Sequence, residues 1–179
     1  MAGPETAATV VVVMGVSGSG KTTVGRLLAR RRGVPFVEGD DLHPAGNIAR
    51  MSAGEALDDE DRRPWLHALA ARIRTATQTG EGAVISCSAL RYEYRQLFRE
   101  AGAGVWFLHL DLDRELARAR LDRRTGHFMP AALLDSQYDT LEPLRPGEPG
   151  LTVDAGTGTE AILEAAEGAL VRFEARGRR

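Results

Sequence analysis

The sequence predicts a single α/β domain in which a parallel sheet of five strands is covered by helices on both faces. Three observations carry that expectation. Short apolar runs of strand length alternate with stretches of helical periodicity along the whole chain. The first run ends in a glycine-rich turn that opens directly into a helix. A chain of 179 residues, 43% hydrophobic and 27% charged, fills one core without requiring a second, and no linker or repeat divides it.

Residues 10–14 are a β-branched run and residues 22–32 place Val24, Leu27 and Leu28 at helical spacing, so the chain begins strand, turn, helix. Gly33 stops that helix, and residues 34–37 form a second short strand that runs into the polar segment 38–44. A short helix over 47–52 precedes a long one over 59–79, with Pro64 in or near its first turn and Trp65, Leu69 and Ile73 on its buried side. Strands over 83–87 and 105–110 flank a helix over 92–101. A helix over 113–124 leads into 125–130, where glycine and proline break the pattern and a mobile segment is expected. A strand over 151–154, a turn and a helix over 159–174 complete a right-handed parallel arrangement.

A net charge of -2 provides no field for nucleic acid or anionic lipid, which leaves small molecules as the expected partners. Cys87, the single cysteine, can form no intramolecular disulfide and cannot hold zinc alone. Residues 1–9 lack the basic residues of a secretory leader, and the valine run 10–13 is too short to cross a bilayer. A soluble, cytoplasmic protein without a membrane partner is expected.

Lys21 is the single lysine among 23 basic side chains. It stands in Gly15-Val16-Ser17-Gly18-Ser19-Gly20-Lys21-Thr22-Thr23, which fits G-x-x-x-x-G-K-[ST] between a strand and a helix. Such glycines let successive backbone N–H groups point at phosphate oxygens, and the helix start adds its positive dipole end. Lys21 would neutralise charge on the transferred phosphoryl group, and the Thr22 hydroxyl would ligate magnesium. With its lone lysine in this loop, the chain has none left for an N-K-x-D guanine-reading motif, which removes the ordinary GTPase reading. Asp111, at the end of an apolar strand, is read as a strand-end cap rather than a magnesium ligand. Glu38 and Asp40 are more attractive, because two residues apart at a strand end they project to the same side. One carboxylate could take an acceptor's proton and the other could hold magnesium.

The chain resembles the gluconokinases, small kinases that phosphorylate D-gluconate. The residues that carry the resemblance are the phosphate loop, Gly39-Asp-Asp-Leu-His-Pro44 with Asn47, Ile48 and Met51, Asp58 through Asp61-Arg62 with Pro64-Trp-Leu66, Ser86-Cys-Ser-Ala-Leu90, His127-Phe-Met129, Ser136-Gln137 and Leu141-Glu142. They run in order through most of the chain. The resemblance implies ATP and Mg2+ dependence and a P-loop NTPase three-layer sandwich like that of shikimate and nucleoside monophosphate kinases.

It also implies roles. Asp40 would be the catalytic base and Glu38 would reach magnesium. Arg62 would bind the sugar acid, since its rigid fork of donors suits a carboxylate; read without the motif, Arg62 is a helix-surface arginine paired with neighbouring acids. His43 would either bond a sugar hydroxyl or fix the loop before Pro44. Ser88 and Gln137 fall on the substrate side, and Cys87 is a buried filler rather than a nucleophile. Arg91 stands where the family usually has lysine, keeping the charge but not the shape. Residues of about 123–137 would form the lid, with His127 on the substrate and Arg120 and Arg124 on the phosphates; Arg123 is read as solvated. Gly158 would pass near the adenine. Family members are often homodimers, so the same state is open to this chain. A related kinase for shikimate or another sugar acid, and a nucleotide-dependent binding protein without transfer activity, are the alternative readings.

Overall fold

The computed structural model describes residues 7–123 and 130–178. Its five strands are β1 (Val10–Met14), β2 (Phe36–Glu38), β3 (Ala83–Ser86), β4 (Val105–Asp111) and β5 (Gly150–Asp154). The helices are α1 (Lys21–Arg32), α2 (Ala45–Ser52), α3 (Asp59–Gln78), α4 (Tyr92–Ala101), α5 (Arg114–Asp122), α6 (Ala131–Thr140) and α7 (Thr159–Gly177), with a 3-10 turn at Gly39–Leu42. All four strand pairings are parallel, in the order β2-β3-β1-β4-β5.

The central strand explains the layering. Every residue of β1 is fully buried, and its side chains alternate between the two faces. Val11 and Val13 join the core under α1, α5, α6 and α7, where Leu28, Leu134, Leu163 and Leu170 meet. Val10, Val12 and Met14 join the core under α3 and α4, with Trp65, Leu69, Ile73 and Phe98. A fully buried Leu or Ile of this kind contributes about 1.5–3 kcal/mol.

Local chemistry sets the element ends. Gly33 takes φ 66° and its N–H bonds to Ala29 and Arg30 carbonyls, closing α1. Asp58 and Asp61 form a reciprocal capping box, Asp61 N to Asp58 Oδ1 at 2.7 Å and Asp58 N to Asp61 Oδ2 at 3.0 Å, which starts α3. Pro64 lies inside α3, beyond its first turn, where it supplies no N–H to the preceding turn. The helix continues to Gln78, with Trp65, Leu66 and Leu69 after the proline buried in the core.

Two departures from expectation bear on the site. The period-two argument does not hold for Glu38 and Asp40, because β2 ends at Glu38 and the chain turns at Gly39–Leu42. The reason is steric: a Cβ on Gly39 would lie 2.1 Å from the Ser86 carbonyl oxygen, so only glycine allows this approach to β3. Residues 131–140, expected in part as lid, form α6 with Leu133 and Leu134 buried.

Candidate functional site

The loop between β1 and α1 is shaped by Gly15, Gly18 and Gly20, at φ 148°, 85° and 95°. Helix α1 starts at Lys21 with no side-chain cap and no acid in its first turn, leaving its N-terminal N–H groups and dipole for an anion. Lys21 Nζ donates to the Val16 carbonyl at 3.0 Å, which curls the side chain over the loop. Val16 itself is core, so it can serve a ligand only through its backbone. Ser17 N donates to Gln137 Oε1 at 2.7 Å and ties the loop to α6. Ser19 Oγ is buried with no hydrogen-bond partner among the described residues, an orphan of the kind that a bound group satisfies.

Beside the loop, Thr22 Oγ1 donates to Glu38 Oε2 at 2.6 Å and Ser86 Oγ donates to Glu38 Oε1 at 2.6 Å. One carboxylate thus joins the start of α1 to the ends of β2 and β3. A hydroxyl and a carboxylate are hard oxygen donors that fit magnesium. No group of three or more His, Cys, Asp or Glu among the described residues could hold a metal, so an ion here would take its other ligands from phosphate and water.

Two cavities flank the loop. The first, about 370 Å³, is bordered by Gly18, Ser19, Gly20, Thr23 and Arg120, with Gly158 on the far side. Arg120 donates to the Gly18 carbonyl at 3.3 Å and the Ala155 carbonyl at 2.9 Å, bridging the phosphate loop and the turn after β5. Gly158 caps α7 at φ 100°. Arg123 also borders this cavity, although it was expected only as a solvated residue.

The second cavity, about 380 Å³, brings together Asp40, His43, Arg62, Ser88 and Gln137, and it shares Ser17 and Lys21 with the loop. His43 stacks on Trp65, centroids 4.2 Å apart and planes 11° apart, while Trp65 Nε1 donates to the Gly39 carbonyl at 2.8 Å. Asn47 Nδ2 donates to His43 Nδ1 at 3.4 Å, which assigns the ring proton to Nε2. Burial, and then the Arg62 charge, push the His43 pKa down to about 4, so it is a neutral donor at ordinary pH. The ring therefore braces against Trp65 and also borders the cavity.

Arg62 donates to Tyr94 Oη at 3.1 Å and stands 3.8 Å from Asp59, whose carboxylate also accepts from Tyr94. Its side chain is only 15% exposed, unlike a free surface arginine. Arg91 pairs with Asp59 at 3.4 Å and Glu93 at 3.9 Å and does not border the cavity; Asp59 links it to Arg62, which does. Cys87 is buried and its thiol is pushed up to about 12, by burial first, with Asp40 and Glu38 adding to the rise and Lys21 opposing it. The three charges converge on the end of β3, and the thiol is no nucleophile. Asp111 accepts from Ala155 N at 2.7 Å through its backbone and borders neither cavity. Arg124 and His127 lie outside the described residues.

Sequence reasoning offered the pairing of Arg62 with a neighbouring acid, and missed the stacking role of Trp65, the bridging role of Ser86 and the shared Asp59–Tyr94 support of Arg62. Only the last had a local signal, the i, i+3 spacing of Asp59 and Arg62.

A family model of an AAA domain matches residues 10–144. A gluconokinase of Gluconobacter oxydans is 46% identical over 154 residues, covering 86% of each chain. A thermosensitive gluconokinase of Escherichia coli is 49% identical over 131 residues, covering 73% of this chain and 70% of its own. The crystal structure of a gluconokinase from Sinorhizobium meliloti superposes with a TM-score of 0.85 at 42% identity, covering 94% of each chain. With the phosphate loop, the Gly39–Leu42 turn and the Arg62 cavity in the order and geometry described, the chain belongs to the gluconokinase family.

Proposed function

We propose that this protein transfers the γ-phosphoryl group of ATP to the 6-hydroxyl of D-gluconate, giving 6-phospho-D-gluconate and ADP. One observation carries the reading: Lys21 belongs to the phosphate loop and also borders the cavity that contains Asp40 and Arg62. A group held against Lys21 from the loop side is thereby next to an acceptor held from the other side.

In this reading the loop amides and Lys21 hold the triphosphate, with Thr23, Arg120 and Gly158 along the nucleotide. Asp40 orients the 6-hydroxyl and takes its proton as the oxygen bonds the γ-phosphorus and the bond to the β,γ-bridging oxygen breaks. Arg62 receives the carboxylate of the sugar acid, and the polar groups of His43, Ser88 and Gln137 face its hydroxyls. Thr22 and Glu38 would hold Mg2+, which neutralises phosphate charge when bound. Arg124 and His127 belong to a lid over about residues 123–137, whose last residues are the start of α6, and the lid closes on the substrates, a role supported by the family resemblance.

No described helix is long and apolar enough to cross a membrane. A cytoplasmic location, assembly as a homodimer and the absence of a nucleic-acid partner are part of the same proposal. A coupled ADP-release assay with gluconate, shikimate and other sugar acids tests it. Turnover with gluconate is expected, turnover with shikimate alone would refute the acceptor, and no stimulation by any acceptor would favour a binding protein.

A further inference from the structure

Outside both cavities, α4 carries the most buried charge among the described residues. The Arg95 side chain is 0% exposed and Glu148, its partner, 1%. Arg95 Nε donates to Glu148 Oε1 at 2.8 Å and a terminal nitrogen to Oε2 at 3.1 Å. The remaining donors reach three backbone carbonyls, Ala89 at 2.9 Å, Leu90 at 3.3 Å and Pro143 at 3.2 Å. Burial alone would push the Glu148 carboxyl up, but its bonds from Arg95 and the Arg145 N–H hold it below the usual range.

The segments gripped in this way lie behind the acceptor cavity. Ser88 and Leu90 border it, and the Ser88 carbonyl accepts from Gly15 N of the phosphate loop at 3.3 Å. Between them, Ala89 is the one described non-glycine residue with positive φ, 45°, a conformation that costs energy and persists only when its surroundings enforce it. Arg95 is the side chain bonded to its carbonyl. The Leu90 carbonyl also accepts from Glu142 N at 2.7 Å, and residues 141–148 continue from α6, which supplies Gln137 to the cavity.

A buried ion pair of this type is a poor source of net stability, because desolvation of the two charges offsets most of their attraction. We propose that Arg95 and Glu148 are positioning residues for the acceptor: they hold the strained Ser88–Leu90 wall and the 141–148 segment at a fixed distance from the phosphate loop. This rests on the reading of that cavity as the gluconate site.

The test is the double variant Arg95→Met/Glu148→Leu, which removes both charges at similar volume and so avoids a lone buried ion. It is expected to melt cooperatively. Its kcat/KM for gluconate is expected to fall by about 10²-fold, the scale of a displacement near 1 Å at a reacting centre. Affinity for a non-hydrolysable ATP analogue, measured by calorimetry, should stay within about twofold, since the loop's own backbone is intact. Glu148→Gln, which keeps one hydrogen bond, should show a smaller loss on the gluconate side only, and it decides the matter if the double variant does not fold. Wild-type gluconate kinetics in a folded variant, or equal losses for ATP and gluconate, would overturn the proposal. A wild-type protein inactive on gluconate would instead overturn the functional reading.

Discussion

The nucleotide side and the acceptor side of this site are built by different means. The phosphate loop is one uninterrupted segment whose backbone is shaped by glycines at φ values that other residues rarely adopt. The acceptor cavity draws Asp40 from the turn after β2, Arg62 from α3, Ser88 from the end of β3 and Gln137 from α6. Among the described residues, the wall of the first cavity carries no acid and no histidine, whereas that of the second carries Asp40, Asp41 and His43. Triphosphate recognition is thus a local property of the chain, and acceptor recognition is a property of the topology.

Lys21 belongs to the phosphate loop and borders the acceptor cavity, so its loss should do the most damage. Lys21→Met is expected to lower kcat by about 10³-fold, comparable to removing a donor aimed at developing charge. Steady-state rates at saturating ATP and gluconate check this, and a loss confined to the KM for ATP would show that the lysine serves the nucleotide alone.

A smaller effect separates the halves by pH. The folded His43 pKa of about 4 lies below the usual 6.5, so the unfolded chain binds a proton that the folded chain refuses. Stability is therefore complete above pH 6.5 and falls as the pH drops toward 4, by about 2 kcal/mol at pH 5. His43→Phe keeps a ring against Trp65 and should flatten this slope, as read by denaturant unfolding at pH 7 and pH 5. A residual slope is expected from His109, whose pKa burial also lowers. An unchanged slope in the variant would show that His43 is protonated in the fold.

The smallest effect should fall on one substrate only. Arg62→Lys keeps the charge but loses the fork that bonds Tyr94 while facing the cavity, and the KM for gluconate should rise about tenfold with the KM for ATP unchanged. Equal changes for both substrates would remove Arg62 from the acceptor side.

The same contrast explains what the sequence disclosed. The β1 run, the loop and α1 are contiguous, and periodicity with glycine placement was enough to read them. The strand-end position singled out Glu38 and Asp40, and the family resemblance then made Asp40 the base and added Arg62, but neither disclosed how they are held. Asp40 reaches the cavity because Gly39 packs on Ser86, a contact between residues 47 apart that no local pattern encodes. Arg95 carries no local signal of its role, since Glu148 lies 53 residues away. Helix α6 was hidden by Pro130, which suggested a break and instead caps the helix at its start.

The central claim is that nucleotide and acceptor meet across Lys21 with Asp40 as the base, and Asp40→Asn tests it most directly. The measurement pairs single-turnover phosphoryl transfer to gluconate with calorimetric titration of an ATP analogue. Transfer at least about 10²-fold slower with nucleotide affinity unchanged is predicted. Transfer at the wild-type rate would contradict the account.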